Sequence, residues 1–326
     1  MYRERRRLLL GVVLALFLGY SAGQLLNGAG QLGVPVAHTG TDGRRLDMPA
    51  ISWPLQGQAA LALGSDRPAA SPDEQPVPIA SVAKVMTAYL VLKRYPLSGT
   101  QDGFTVTITE AQAQDEIQDR AENQSGVPVA AGEQLTERQL LEALLIPSGN
   151  NVARILAAQV AGDEASFVAQ MNAEARTLGM DHTTYTDPSG WDQGTVSTAA
   201  DQLRVFQAAM SFPVFRQIVS MPSVTLPVAG TVTNFNPLVA DGYAGKTGSD
   251  SAAGGCLAFF TQVTIGGRPA TAVGVVLGQG QGSNTQAILA AAADAARQLV
   301  QSAVPASAAS TPPTPGPAGA PMGPPA

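Results

Sequence analysis

The chain of 326 residues has a formal net charge of −6 at pH 7, and 13% of its residues are charged. This thin acidic balance, without a basic stripe interleaved with aromatic residues, argues against nucleic acid as a partner. One cysteine, Cys256, excludes an internal disulfide and a cysteine-based zinc site. Two histidines argue against a histidine-rich metal site, so we expect no cofactor.

The first 26 residues predict export. Four arginines within the first seven residues precede the apolar run LLLGVVLALFLGY, which is the order of regions in a signal peptide. Continued through Leu26, the apolar stretch reaches about 19 residues, close to the length that crosses a bilayer. Residues 1–26 are therefore either a cleaved signal peptide or a retained N-terminal anchor that contacts the membrane. In both cases the rest of the protein would lie on the extracytoplasmic face of the membrane.

Composition divides the remaining chain into three parts. Residues 27–52 are Gly-rich and polar, which predicts a linker. Residues 305–326 consist largely of Pro, Ala and Gly and cannot bury a core, which predicts a disordered tail. Residues 53–304 are long enough for one large domain.

The predicted elements of this domain change character along the chain. A strand at 58–64 precedes an apolar helix from Ser81 to about Arg94, and a short strand follows at 105–109. Next come predicted helices at 136–146, which Thr136 and Gln139 would begin with a capping box, and at about 151–161, 165–178 and 198–210. The second half has the alternation of strands, at 223–228, 231–236, 242–248, 256–265 and 270–278, and closes with a helix at 284–303.

Lys84 is an unexpected residue in the apolar helix that Ser81 begins. Only three of the 19 basic residues are lysines, so a lysine kept here suggests chemistry that arginine cannot perform, the release of a proton near neutral pH. The spacing places both side chains on one helical face. Burial would favour the uncharged amine, which could take the proton of Ser81 and make it a nucleophile. The Ser81 N–H, at the helix N-terminus, would face a developing oxyanion.

Two further motifs support this interpretation. The sequence SGNN at 148–151 follows a helix that ends at Pro147, and KTG at 246–248 lies in a strand-like stretch before Ser249. There Lys246 would be a fixed cation beside the serine and Thr247 a hydroxyl donor. Gly248 would let a substrate backbone lie close along the strand edge. The order S-x-x-K, S-x-N, K-T-G within one domain predicts an active-serine enzyme.

The chain resembles the D-alanyl-D-alanine carboxypeptidases, the low-molecular-mass penicillin-binding proteins. The similarity covers roughly residues 57 to 300 and includes PIASVAKVMTAYLVL, LLEALLIPSGNNVA, MNAEARTLGM and GKTGSDSAAGGCL. It implies that residues 53–304 are a serine DD-peptidase domain of the α+β class. The implied fold is that of penicillin-binding proteins and β-lactamases, an antiparallel five-stranded sheet with flanking helices and a helical lobe. The implied partners are peptidoglycan stem peptides ending in D-Ala-D-Ala, and β-lactam antibiotics as acylating inhibitors.

The resemblance also implies how the first two motifs act. Ser81 would attack the penultimate D-Ala carbonyl, with Lys84 as its base. Ser148 would relay protons with Lys84, and Asn150 would form a hydrogen bond with the substrate amide.

The third motif would act on the other end of the substrate. Lys246 and Thr247 would hold the substrate carboxylate and help to protonate the leaving group. The backbone N–H groups of Ser81 and Ser249 would form the oxyanion hole. Gly245 stands where some members of the family have histidine.

Three other functions stay open at the level of sequence. A DD-endopeptidase that cuts peptidoglycan cross-links uses the same machinery. A serine β-lactamase needs an acid that positions a deacylating water, and no glutamate lies in a recognisable deacylation motif. A wall-binding protein without catalysis would not need all of the motif residues that are present.

Several polar residues are interpreted as turn residues rather than site residues. Asp187 and Ser189 precede Gly190 and have the composition of a turn. His182, Asn234 and Asn236 are interpreted in the same way.

Overall fold

The computed structural model describes residues 51–282 and 284–304. The predictions for residues 1–26, for the linker up to residue 50 and for the tail at 305–326 lie outside the described residues. Within the described part, no helix combines the length and the apolar character that a bilayer-spanning segment needs.

A five-stranded antiparallel sheet forms the centre of the described domain, as the resemblance implied. In spatial order its strands are β2 (Ala69–Ala70), β1 (Gln58–Leu63), β11 (Arg268–Gln279), β10 (Gly254–Ile265) and β9 (Ala244–Asp250). The first long strand of the domain therefore pairs with the last, with Ala60 opposite Val275. β9, which carries the KTG motif, lies at one edge of the sheet.

Three short antiparallel pairs lie outside this sheet. They join β3 (Val77–Pro78) to β6 (Val196–Ser197), β4 (Thr105–Thr107) to β5 (Gln134–Thr136), and β7 (Ser223–Leu226) to β8 (Gly230–Thr233). The first pair lies immediately before the segment that contains Ser81. It joins this segment to the chain that follows residue 195.

The described residues include eight α-helices. These are α1 (Lys84–Arg94), α2 (Glu110–Ala121), α3 (Glu137–Leu145), α4 (Asn150–Ala161), α5 (Glu164–Thr177), α6 (Ala199–Ala209), α7 (Pro213–Val219) and α8 (Thr285–Ala303). α2, α3 and α5 pack around α4 and form the predicted helical lobe, which α1 joins to the rest of the domain.

The sheet separates two apolar cores because successive side chains of a strand point to opposite faces. On one face Leu257 and Phe259 pack with Leu299 of α8. On the other face Ala258 lies in the larger core with Met86 of α1. The sheet is thus covered on both faces, and the 3₁₀ turn Ala80–Ala83 that precedes α1 packs against the strand that carries the KTG motif.

Local sequence explains the ends of several elements. The predicted capping box is present: Thr136 Oγ1 accepts from Gln139 N, and Gln139 Oε1 accepts from Thr136 N. The predicted strand at 105–109 ends at Thr107 because Thr109 forms a second capping box, at the start of α2. α2 was not predicted, since its sequence EAQAQDEIQDRA is mostly polar and has no continuous apolar stripe.

Candidate active site

Ser81 lies in a 3₁₀ turn, Ala80–Ala83, and α1 begins only at Lys84. The expectation that Ser81 itself begins an α-helix was therefore wrong by one turn. Ala80 has a φ of +45°, a conformation that residues with a side chain rarely adopt. Ser148 of the second motif has a φ of +65°. Such strain persists only where the surrounding structure holds it, and it clusters at functional sites.

Lys84 is buried and donates three hydrogen bonds. Its Nζ lies 2.8 Å from Ser81 Oγ, 2.6 Å from Asn150 Oδ1 and 2.9 Å from the carbonyl oxygen of Ser189. The fully protonated amine has three N–H donors, so each donor has one acceptor. This is the contact that the Ser81 and Lys84 spacing predicted, and it holds the base against the nucleophile.

The surroundings of Lys84 make its amine a usable base near neutral pH. Burial lowers the pKa of Lys84 from 10.5 to about 7. The charge of Asp187 opposes this shift, as does that of Asp119, while the charge of Arg154 adds to it. A large fraction of the amine is therefore uncharged at pH 7, which a lysine in water would not reach.

Ser148 contacts the other motif lysine. Lys246 Nζ donates to Ser148 Oγ at 3.0 Å and to the Thr247 carbonyl at 2.8 Å. The hydrogen bonds of the described residues do not include one between Ser148 and Lys84, which the resemblance had implied. Ser148, which lies just before α4, is therefore hydrogen-bonded to Lys246 rather than to Lys84.

Lys246 is not a simple fixed cation. Its side chain is buried, and burial, followed by the nearby charge of Lys84, lowers its pKa well below 10.5. Two ammonium groups in one buried site repel each other, so their protonation is coupled. An anion bound beside Lys246 would favour the protonated form of this lysine.

Both polar atoms of the Asn150 side chain are engaged. Oδ1 accepts from Lys84, and Nδ2 donates to Gln124 Oε1 at 2.9 Å. Gln124 was not predicted as a site residue, and it lies in the loop that follows α2. The Nδ2 group carries two hydrogens, so a substrate can accept one while Gln124 accepts the other.

The KTG strand touches the nucleophile's turn at Gly248. A Cβ added to Gly248 would lie 2.8 Å from Ile79 O and 3.1 Å from Ser81 N. Position 248 thus requires glycine because the Ser81 turn lies so close to it. A substrate along the strand edge would add to this requirement. Ser249 is the next residue of β9.

Thr247 and Ser249 lie on β9 where only one side of the strand is paired. Thr247 is opposite Leu257 and Ser249 is opposite Gly255 of β10. Among the described residues, no strand pairs with the other edge of β9. An extended peptide could pair there through backbone hydrogen bonds.

Two residues that the sequence assigned to a turn belong to the site. The Ser189 carbonyl accepts from Lys84, and the buried Asp187 carboxylate holds the loop that carries this carbonyl. Nothing in the local sequence marks this contact, because Lys84 and Ser189 are 105 positions apart. Trp191 follows in the same loop and is half-exposed.

Among the described residues, Cys256 and His182 are not hydrogen-bond partners of Ser81, Lys84, Ser148 or Lys246. Burial raises the pKa of the Cys256 thiol to about 12, so the thiol is a poor nucleophile. The backbone N–H of His182 donates to Asp201 at 2.8 Å. Across residues 51–282 and 284–304, no three His, Cys, Asp or Glu side chains gather into a group that could hold a metal ion.

These contacts define a class of site, a serine whose hydroxyl hydrogen-bonds a buried, partly neutral lysine. The sequence pattern of the D-alanyl-D-alanine carboxypeptidases matches residues 69–280, which include all three motifs. The chain belongs to the D-alanyl-D-alanine carboxypeptidase family.

The chain is similar in sequence to curated members of this family. It is 37% identical over 187 residues to the D-alanyl-D-alanine carboxypeptidase DacB2 of Mycobacterium tuberculosis, covering 56% of this chain and 57% of that protein. It is 34% identical over 151 residues to a D-alanyl-D-alanine endopeptidase of Pseudomonas aeruginosa, covering 46% of this chain and 45% of that protein. The similarity thus spans about half the length of these two relatives.

Solved structures have the same fold over a larger share of the chain. A point mutant of a Streptomyces DD-transpeptidase has a TM-score of 0.64 and 26% identity, covering 76% of this chain and 97% of that chain. A penicillin-binding protein homolog from Mycobacterium tuberculosis has a TM-score of 0.63 and 31% identity, covering 78% and 95%. The predicted α+β fold of the penicillin-binding proteins is confirmed.

Proposed function

We propose that this protein is an exported serine D-Ala-D-Ala carboxypeptidase that removes the terminal D-Ala from peptidoglycan stem peptides. The observation that carries this proposal is the contact between Lys84 Nζ and Ser81 Oγ at 2.8 Å in a buried site. Family membership supports the choice of a peptide that ends in D-Ala-D-Ala. The proposal that the protein is exported is supported by the sequence of residues 1–26 alone.

Acylation would begin with proton transfer from Ser81 to Lys84. The Ser81 oxygen attacks the carbonyl carbon of the penultimate D-Ala, and the oxyanion forms between the N–H groups of Ser81 and Ser249. The bond to the terminal D-Ala nitrogen then breaks. The leaving amine takes the proton from Lys84, or takes one from Lys246 through the Ser148 hydroxyl. In the second case the proton held by Lys84 then restores Lys246, so Lys84 is neutral again before deacylation.

Deacylation would reverse the roles with water as the nucleophile. Lys84 takes a proton from water, hydroxide adds to the acyl carbon, and the ester bond to Ser81 breaks. Ser81 regains its proton, and the shortened peptide leaves as a carboxylate. A β-lactam would acylate Ser81 in the same way, but its leaving group stays attached through the opened ring, so we expect a long-lived adduct.

Substrate binding would use the open edge of β9. The terminal carboxylate of the peptide would lie against Lys246 and Thr247, where it favours the protonated form of the lysine. The peptide backbone would pair with the strand edge. Asn150 would donate to a substrate carbonyl through the second hydrogen of its Nδ2, while Gln124 accepts the first.

A DD-endopeptidase is the second candidate. Relatives from Pseudomonas aeruginosa and Escherichia coli carry this name, at 34% and 31% identity. The acyl-enzyme would be the same, and only the leaving amine would differ, since it would belong to a neighbouring stem peptide.

The two activities can be separated with two substrates. Purified protein is incubated with a stem pentapeptide ending in D-Ala-D-Ala and, separately, with a cross-linked stem dimer. We expect free D-Ala from the pentapeptide, and none from the Ser81→Ala variant. Cleavage of the dimer alone would favour the endopeptidase, and cleavage of neither substrate would overturn both proposals.

The position of the protein can be tested separately. Fractionation of the producing cell, followed by mass determination of the purified chain, would show whether residues 1–26 are removed. We expect the protein outside the cytoplasm. Recovery of the intact chain in the cytoplasm would contradict export.

A further inference from the structure

The carboxylate of Asp187 is buried beneath the site and organises one loop. We define the Asp187 loop as residues 187–195. Oδ2 of Asp187 accepts from Ser189 Oγ at 2.5 Å and from the N–H groups of Ser189 and Trp191 at 3.0 Å. Oδ1 accepts from Thr195 Oγ1 at 2.7 Å. No ion pair between residues of the described part involves Asp187, so its hydrogen bonds come from neutral donors.

The Asp187 loop contacts both the base and the turn of the nucleophile. The Ser189 carbonyl accepts from Lys84, and the Pro188 carbonyl accepts from Thr87 Oγ1 at 2.6 Å, three residues further along α1. Gly190, at a φ of +80°, lies so close to the Ala80 carbonyl that a Cβ there would collide with it. The loop thus accepts a hydrogen bond from Lys84 and packs against Ala80, the residue of positive φ before Ser81.

Charges from four parts of the fold surround Lys84. Asp119 comes from α2, Arg154 from α4, Lys246 from β9, and Asp187 from its loop. Arg154 and Asp119 form an ion pair at 2.7 Å, so their effects on Lys84 oppose each other. Asp187 therefore supplies the negative charge near Lys84 that no ion-pair partner offsets.

We propose that Asp187 is a positioning residue for the general base: through the Ser189 carbonyl it aims Lys84 at Ser81, and its charge sets the pH range in which Lys84 takes the Ser81 proton. This inference rests on the proposed function, because it assumes acylation of Ser81. It assigns a role to a residue whose sequence context indicated only a turn. Without this charge, burial and Lys246 would favour the neutral amine at lower pH.

The variant Asp187→Asn tests the charge with little change in shape. The amide oxygen can keep the three donors on the Oδ2 side. The amide nitrogen would face Thr195 Oγ1, which already accepts from Thr186 N at 3.0 Å and Asp187 N at 3.3 Å, and the Thr195 hydroxyl proton can turn to Thr186 Oγ1, 3.0 Å away. The variant thus removes the charge and keeps the hydrogen bonds on the Oδ2 side, while the bond from Thr195 to Oδ1 is lost.

The experiment measures the second-order rate constant for acylation by a fluorescent penicillin between pH 5 and pH 9. For the wild type we expect a rate that rises with pH as Lys84 loses its proton. For Asp187→Asn we expect this rise at a pH lower by about one unit, since removing one nearby opposite charge lowers a lysine pKa by that order. The plateau rate should fall modestly, because a weaker base accepts the proton less readily.

Two control variants isolate the charge. Ser189→Ala removes the 2.5 Å hydrogen bond within the Asp187 loop but keeps the carboxylate, so the acylation rate should fall at every pH while the pH of the rise stays at the wild-type value. Asp201→Asn neutralises another buried carboxylate, which accepts from His182 N and Thr183 Oγ1 and is not among the charges that act on Lys84. It should also leave the rise in place.

The possible outcomes separate this inference from the proposed function. A wild type that is never acylated would overturn the proposed function and the inference together. A wild type that is acylated, with Asp187→Asn slower at every pH but unshifted, would overturn only the inference. The inference would also fail if Asp187→Asn loses its cooperative thermal unfolding while Asp201→Asn keeps it, because the carboxylate would then serve folding.

Discussion

Gly248 and Ser81 are in direct backbone contact across two elements that are far apart in sequence. A Cβ on Gly248 would lie 3.1 Å from Ser81 N and 3.0 Å from Val82 N, closer than side chains normally approach backbone atoms. The KTG strand and the turn that carries Ser81 are thus closely packed at this point. A larger residue at position 248 would increase the distance between them. In the proposed mechanism the N–H groups of Ser81 and Ser249 form the oxyanion hole, so this contact would affect the spacing of the two donors.

Gly248→Ala should therefore slow acylation. The added methyl would move the Ser81 turn by a few tenths of an ångström, and loss of one oxyanion-hole donor costs roughly 100- to 1,000-fold in rate. We expect a decrease of at least about 10-fold in acylation by benzylpenicillin. Gly132→Ala is the control, because its Cβ would meet no atom within 4 Å. Its φ of +82° predicts lower stability but unchanged acylation. Equal acylation of wild type and Gly248→Ala would refute this contact as a requirement.

Lys84→Arg should lose most of the acylation activity. A guanidinium stays charged at all accessible pH values and cannot accept the Ser81 proton. General base catalysis contributes about 100-fold or more, so we expect at least that decrease in the acylation rate. Lys93→Arg, on the same helix but exposed and paired with Glu174 at 2.7 Å, should acylate at the wild-type rate. Near-normal acylation of Lys84→Arg would show that another group is the base.

The wild-type acylation rate should rise with pH around neutrality. The base must be uncharged, and the pKa of Lys84 is lowered to about 7 by burial. About a tenth of the amine is then neutral at pH 6, and about nine tenths at pH 8. The acylation rate would be measured at each pH by quenching the reaction at set times, at constant ionic strength. A rate that is constant or falls from pH 6 to pH 8 is the contrary result.

Glu137 should make the stability of the fold depend on pH. Burial raises the pKa of this carboxyl from 4.5 to about 7, and its Oε1 has no hydrogen-bond partner in the described structure. A first-turn acid normally gains about 0.3–1 kcal/mol from the helix dipole, so here burial outweighs that gain. Between pH 4.5 and pH 7 the folded state keeps a proton that the unfolded state has released. The free energy of unfolding therefore falls as pH rises through this range and stays lower above it.

The variant Glu137→Gln removes this dependence. We expect it to raise the melting temperature more at pH 8 than at pH 4.5. Glu110→Gln is the matched control, because Glu110 occupies the same first position of α2 but is exposed. That control should lose a little stability at pH 8. An equal change in melting temperature at both pH values for Glu137→Gln would contradict the assignment.

The parts of the site that local sequence encodes could be predicted. The spacing of Ser81 and Lys84, and the turn residues SGN between two periodic helices, mark the first two motifs without knowledge of the fold. The apolar periodicity of α1 and α3 and the alternation in β10 were strong enough to place the sheet and the lobe.

The remaining features depend on contacts that the sequence does not display. α2 has no continuous apolar stripe, so only its capping box at Thr109 could have indicated it. Gln124 contacts Asn150, which is 26 positions away. Asp187 holds the loop in which the Ser189 carbonyl contacts Lys84, 105 positions away. The hydrogen bond of Ser148 with Lys246, rather than with Lys84, depends on how the sheet and the lobe meet. The sequence could identify the motif residues and the pairing of Ser81 with Lys84, but not the partners of Ser148 and Asn150.

The most direct test of the account is the intact mass of the protein after incubation with benzylpenicillin. For the wild type we predict a shift equal to the mass of one penicillin, which decays slowly. Ser81→Ala should show no shift at any time. An adduct of equal yield on Ser81→Ala would show that another residue is the nucleophile. Hydrolysed penicillin that accumulates over many turnovers without a lasting adduct would point instead to a β-lactamase.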